Sequence, residues 1–295
     1  MNKMFIEARV NEYKMRDDTP HIPWTAMEIA DEAARCADAG ATLFHWHGRT
    51  DDGGIDNTLE KYQEVIRLIR KKADILLMPT LGFVANDEDP DKRINIQVQL
   101  SMDPQTAPDI VPIDMGSMNY EFYHADTKSF EYVDRIYHNS TDTIISAAQR
   151  FQNAGLGRML VCWNVGFVRR AAALMDMGIL KEPALFELNL SGGPVITGHP
   201  ATVTGLDCMV EMLPKNRKLT YLVDCTGGPM MSLVPYIIRS GGNVSIGLGD
   251  YHYSELGMPD NSQLISKCAQ MAREFGREIM TTDELRKLLG LKKRS

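Results

Sequence analysis

Eight short apolar runs recur along this 295-residue chain, and the segments between them carry helical patterns. Runs over 4–10, 41–46, 74–79, 110–114, 158–163, 185–189, 219–224 and 243–248 predict strands. Several are apolar at consecutive positions, as strands covered on both faces are. Without a composition break or linker, eight strand–helix pairs predict one (β/α)8 (TIM) barrel domain over residues 1–295. A doubly wound open sheet is the alternative, disfavoured because no strand is followed by a G-x-G-x-x-G turn.

Helix ends are marked as well. Thr25 with Glu28 forms a capping box, and Gly40 sits where that helix should stop. Asn57 with Glu60 opens the next, in which Leu59, Tyr62, Ile66 and Ile69 recur at helical spacing. Ser140 caps a helix running to about Asn153. Pro229 suits a first helical position, with Pro235 set to kink or shorten that helix. Thr281 with Glu284 opens a last helix over 281–290 carrying Leu285, Leu288 and Leu289.

A net charge of −7 argues against sequence-independent nucleic-acid binding, and the Lys292-Lys293-Arg294 tail reads as a solvated end. No apolar run approaches the roughly 18 to 20 residues that span a bilayer. The first residues lack the pattern of a signal peptide. Five widely spaced cysteines without a C-x-x-C pair (Cys36, Cys162, Cys208, Cys225, Cys268) predict reduced thiols, a cytoplasmic location and no zinc finger.

Chemistry is most concentrated in H-W-H-G-R-T-D-D-G-G at the end of the second strand. His45 and His47 stand two apart, so in a strand both imidazoles leave the same face. Barrel active sites gather at this end of the strands, and two neutral imidazoles suit zinc or a similar divalent ion. Such a site needs a third ligand. The plainer alternative has one histidine bonding a carboxylate and the other packing.

After the eighth strand, Asp250 and His252 offer a carboxylate base and a further ligand, or else a turn cap and a surface residue. Gly192-Gly193 and Gly227-Gly228 let backbone approach a ligand or simply make turns, and Gly241-Gly242 lies at the opposite end. Asn11 and Glu12 face the mouth or the surface. The segment 116–140 exceeds a usual strand-to-helix loop, where specificity is commonly built. His21, His124, His138 and His199 read as loop or satisfied polar residues.

Four stretches, P-H-I-P-W-T-A-M-E-I-A, C-A-D-A-G-A-T-L-F-H-W-H-G-R, M-G-S-M-N and G-G-N-V-S-I-G-L-G-D, together resemble the β-keto acid cleavage enzymes. The likeness runs in order over nearly the whole chain, to G-R-E-I-M-T-T-D-E-L-R-K-L-L-G-L. It implies a zinc-containing barrel, a homo-oligomer (dimer or tetramer), with acetyl-CoA as co-substrate. The implied reaction gives acetoacetate and a new acyl-CoA. The metal would polarise the keto oxygen, and a carboxylate would remove the neighbouring proton.

By this likeness His45 and His47 match paired metal ligands, Arg49 matches the arginine that follows them, and Asp250 matches the base. A glutamate expected as third ligand is Gly249 here, and an arginine expected to hold substrate carboxylate is Ser245. The expected glycine-arginine after strand 7 is Gly228-Pro229, and a serine-threonine near strand 3 is Pro79-Thr80. His252 is then the expected replacement ligand, and Arg49 or Arg9 the expected carboxylate partner. Asn11, Glu12, Thr80, Ser117, Asn119, Gly192 and Gly227 are the candidate substrate-binding positions. Two alternatives remain: a metal-dependent aldolase or hydrolase acting without CoA, and a catalytically silent ligand-binding barrel, which Gly249 and Ser245 favour.

Overall fold

All eight predicted strands form and pair in parallel into a nearly closed barrel. The computed structural model describes residues 3–12, 14–82 and 89–292, so most of the basic tail lies outside the described residues. The strands are β1 (Ile6–Arg9), β2 (Leu43–Trp46), β3 (Leu76–Pro79), β4 (Ile110–Asp114), β5 (Gly157–Cys162), β6 (Ala184–Ser191), β7 (Leu219–Thr226) and β8 (Asn243–Ile246). Their order around the wall is β3-β2-β1-β8-β7-β6-β5-β4. Register is continuous across β1, with Ile6 opposite Val244 and Arg9 opposite His45.

No ladder joins β3 to β4 among the described residues; Asp109 closes that seam instead. Its N–H donates to the Leu77 carbonyl at 2.9 Å, and its carboxylate accepts the Leu77 N–H at 3.0 Å. Arg286 reaches the same carboxylate at 3.0 Å.

The α-helices of the described residues are α1 (Ala26–Ala39), α2 (Leu59–Lys72), α3 (Pro90–Leu100), α4 (Thr141–Asn153), α5 (Val165–Asp176), α6 (Val203–Glu211), α7 (Val234–Arg239), α8 (Asn261–Glu274) and α9 (Thr282–Leu288). The Thr25–Glu28 box, the left-handed Gly40, the Ser140 cap and the Thr281–Glu284 box are all present. Two helix starts are corrected. Thr58 caps α2, because the preceding Asn57 side chain is engaged by the Tyr62 hydroxyl. Helix α7 begins at Val234 rather than at Pro229, so Pro235 falls in its first turn, where a missing N–H costs nothing. No helix among the described residues is long and apolar enough to cross a membrane.

Strand alternation sorts the core into two shells. Outward side chains such as Phe44, Leu77, Val111, Phe186 and Val223 pack beneath the helices. Inward ones at the N-terminal end (Phe5, Leu43, Leu76, Ile110, Met159, Leu185, Leu222) make a separate apolar plug. Leu285 and Leu289 cover it, and Thr282 ties α9 to the Asp74 carbonyl at 2.8 Å. Two residues further along β1, β2, β6 and β7 the inward positions turn polar, at Glu7, His45, Glu187 and Asp224. The barrel is thus sealed below and chemically equipped above.

Leu285 is 0% exposed and Leu288, on the same helix, 41%. Leu285→Ala is expected to lower unfolding stability by about 2–5 kcal/mol through a floor cavity, and Leu288→Ala by under about 1 kcal/mol. Chemical denaturation of both variants checks this.

Candidate active site at the barrel mouth

Strand β2 carries His45 in the wall and delivers His47 just beyond it, both buried. The rings stand 5.3 Å apart, nearly perpendicular. His45 Nδ1 lies 2.9 Å from the Met78 carbonyl. A carbonyl only accepts, so Nδ1 carries the proton and Nε2 keeps its lone pair. Burial, reinforced by the Arg9 charge, pushes both imidazoles well below the usual histidine range. Both are therefore neutral and suited to ligate.

The third partner comes from strand β1. Just past β1, Glu12 brings its carboxylate to 3.6 Å from His45 Nε2. One ligand atom each from Glu12, His45 and His47 lie within 4.8 Å of one another. The Glu12 oxygens accept no hydrogen bond although they are buried. Burial and the neighbouring Asp250 push this carboxyl up to about 8. A divalent cation would relieve both penalties, so the donor set fits one. Gly249 makes the arrangement possible: a Cβ there would stand 1.1 Å from Glu12 Oε2.

Beneath and beside this group lies one buried cation among carboxylates. Arg9 Nη1 donates to Glu187 at 2.8 Å, and Arg9 Nε lies 3.0 Å from Asp250 Oδ2. Glu12 and Asp224 stand 3.4 and 3.9 Å from the same Nε. Burial is the largest influence on each carboxyl and pushes all of them up, Glu187 to about 7. Burial thus opposes full ionisation of the acidic excess.

A cavity of about 520 Å³ opens above these groups and is lined by Arg9, Glu12, His45, His47, Thr80, Gly227 and Asp250. Residues 115–140 fold over it as two small antiparallel ladders, Met118–Asn119 with Ile136–Tyr137 and Tyr123–His124 with Ser129–Phe130. They present Tyr120, Phe122 and Tyr132 to the cavity. The hood is anchored at its base: the Tyr137 hydroxyl and Trp163 Nε1 donate to Asp114 at 2.6 and 3.0 Å.

Several predicted site residues serve elsewhere. His252 is not brought to the histidine pair; its ring stacks on Tyr251 and its Nδ1 accepts the Ser254 N–H. Arg49 is buried and does not line the cavity, because its guanidinium donates to the Asn11, Lys14 and Gly53 carbonyls and to that of Glu12. It holds the turn that presents Glu12. Asn11 bonds the His47 backbone from both sides, accepting its N–H at 2.8 Å and donating to its carbonyl at 3.0 Å.

Gly192 packs backbone to backbone on Gly228, where a Cβ would meet the Gly228 Cα at 2.7 Å. Ser117 accepts the Asn139 N–H, and Asn119 bonds Glu121 within the hood. Glu7, Glu187 and Asp224 were not legible as site residues by motif. Charged residues at alternate positions of otherwise apolar strands were the available signal.

A family model described as beta-keto acid cleavage enzyme matches residues 3–291. The 3-keto-5-aminohexanoate cleavage enzyme of Fusobacterium nucleatum is 26% identical over 297 residues, covering 99% of this chain and 100% of that protein. The 3-dehydrocarnitine:acetyl-CoA trimethylamine transferase of Rhizobium meliloti is 26% identical over 289 residues, covering 93% and 91%. Among solved structures, apo ObcA superposes with a TM-score of 0.71 at 17% identity, covering 92% of this chain and 66% of that one.

Gly249→Ala is expected to displace the Glu12 carboxylate and weaken retention of added zinc by at least about 10-fold, as Glu12→Gln should. His252→Ala should leave it unchanged. Metal content after dialysis measures all three.

Proposed function

The chain belongs to the β-keto acid cleavage enzyme family, and from that membership we propose acyl exchange between a β-keto acid and acetyl-CoA, giving acetoacetate and a new acyl-CoA. The observation that carries this reading is the convergence of Glu12, His45, His47 and Asp250 in one cavity at the barrel mouth. Relatives named as acetyl-CoA transferases of 3-dehydrocarnitine, 3,5-dioxohexanoate and 3-oxoadipate support the choice of co-substrate.

Glu12, His45 and His47 would hold zinc, to which two nitrogens and one oxygen are well suited. Bound there, the ion supplies positive charge against the keto oxygen and the negative charge that grows on it. Asp250 is the base in this reading. Its carboxylate is steadied by Arg9 Nε at 3.0 Å, and its backbone carbonyl by the Gly227 N–H at 3.1 Å. It takes the proton from the carbon between the two carbonyl groups of the acid.

The resulting carbanion attacks the acetyl-CoA thioester, and CoA thiolate leaves. The thiolate then attacks the original keto carbon, and the bond to the acidic carbon breaks. Acyl-CoA forms, and acetoacetate takes its proton back from Asp250. No side-chain nucleophile is required. Consistent with this, burial pushes the Cys162 and Cys225 thiols up and keeps them protonated.

Purified protein given acetyl-CoA and a panel of β-keto acids is expected to release acetoacetate with at least one of them. Asp250→Asn is expected to lower kcat by about 10²–10⁴-fold with zinc content unchanged. Absence of acetoacetate across the panel would overturn the reading.

A further inference from the structure

We propose that Arg9 seats the substrate's carboxylate through its Nη2 amino group, an inference that rests on the β-keto acid reading above. A keto acid brings a negative charge into a cavity already walled by Glu12, Glu187 and Asp250. Like charges a few ångströms apart repel strongly near a protein surface. The acid therefore needs a cation at its seat.

Among the described residues, the cations lining the cavity are Arg9, Lys14 and Arg135. Arg135 is exposed and lies over the Tyr132 ring at 3.7 Å, and Lys14 is only half-buried. Arg9 is buried, with 9% of its surface exposed.

The guanidinium is engaged along two of its three nitrogens. Nη1 donates to Glu187 at 2.8 Å, and Nε faces Asp250 at 3.0 Å and Glu12 at 3.4 Å. Nη2 takes part in none of these contacts. An arginine held at two edges has a fixed plane, so its remaining N–H groups point in a set direction without further loss of freedom. Of the groups that touch this guanidinium, one is the proposed base and another belongs to the proposed metal group. A carboxylate on Nη2 would therefore share its guanidinium with the proposed base and with one of the proposed ligands.

The consequence is selection by charge. A free β-keto carboxylate is accepted, whereas its ester lacks the anion that Arg9 pairs. Arg9→Lys keeps one positive charge and removes the planar fork, which makes it the informative variant.

Calorimetric titration without acetyl-CoA tests the seat apart from turnover, with acetoacetate, methyl acetoacetate and neutral 2,4-pentanedione as probes. Zinc-loaded wild-type protein should bind acetoacetate at least about 10-fold more tightly than methyl acetoacetate. Arg9→Lys should weaken acetoacetate by about 10–100-fold while 2,4-pentanedione binding and zinc content stay unchanged. Equal wild-type affinity for acid and ester would overturn the proposal whether or not the variant folds. So would an Arg9→Lys variant that binds acetoacetate as wild type does, or no acetoacetate binding to wild type. Arg9-dependent binding without acetoacetate production would sink the acyl-exchange reading alone.

Discussion

Everything at this mouth depends on one guanidinium placed inside a ring of carboxylates. Removing several acidic groups from water in a confined space is prohibitive unless they are protonated, paired or bound to a metal. Arg9 supplies the pairing for Glu187, Asp250 and Glu12 at once. The deeper acids Glu7 and Asp224 are pushed up by burial and by Glu187, which favours their neutral forms. Loss of the positive charge at position 9 would therefore disturb the proposed base and the proposed ligand group together, whereas a lysine there keeps that charge. The same economy explains why the charged inward positions sit together on β1, β6 and β7, because the charges must cluster if they are to compensate one another.

Glu12 and Gly249 behave as a single unit. The resemblance places a glutamate at 249, on the β8 side of the mouth, and this chain has no side chain there. The vacancy is filled from the β1 side by Glu12, whose oxygen occupies the space a Cβ at 249 would need. β1 and β8 are neighbours in the wall, so the two strand ends open onto the same side of the mouth. A carboxylate thus stands beside the two imidazoles although position 249 has no side chain. Arg49 and Asn11 are what make the exchange workable, since they brace the turn that aims Glu12 and the segment that aims His47.

The barrel and its histidine pair were legible because strand periodicity and capping boxes are local properties. The eight apolar runs became eight strands, and the Thr25, Ser140 and Thr281 caps formed as read. What escaped is the part set by tertiary approach. Nothing local distinguishes Asn11, gripping a backbone, from an asparagine gripping a ligand. His252 follows the conspicuous Asp250, yet the turn after β8 carries its ring onto Tyr251. Glu187 and Asp224 sit within runs that read as core; only the inward alternation of their strands, combined with barrel closure, reveals that they meet.

The floor helix α9 has a kinetic meaning. It follows all eight barrel strands, and through Leu285 and Arg286 it covers the lower plug and reaches the β3–β4 seam, which has no ladder among the described residues. On the ribosome, all eight strands therefore emerge before the element that shields their lower ends. Until that element arrives, the nascent sheet presents Phe5, Leu43 and Ile110 to the solvent or to a chaperone. Helix α9 is thus the latch on a vessel whose eight staves all precede it in the chain.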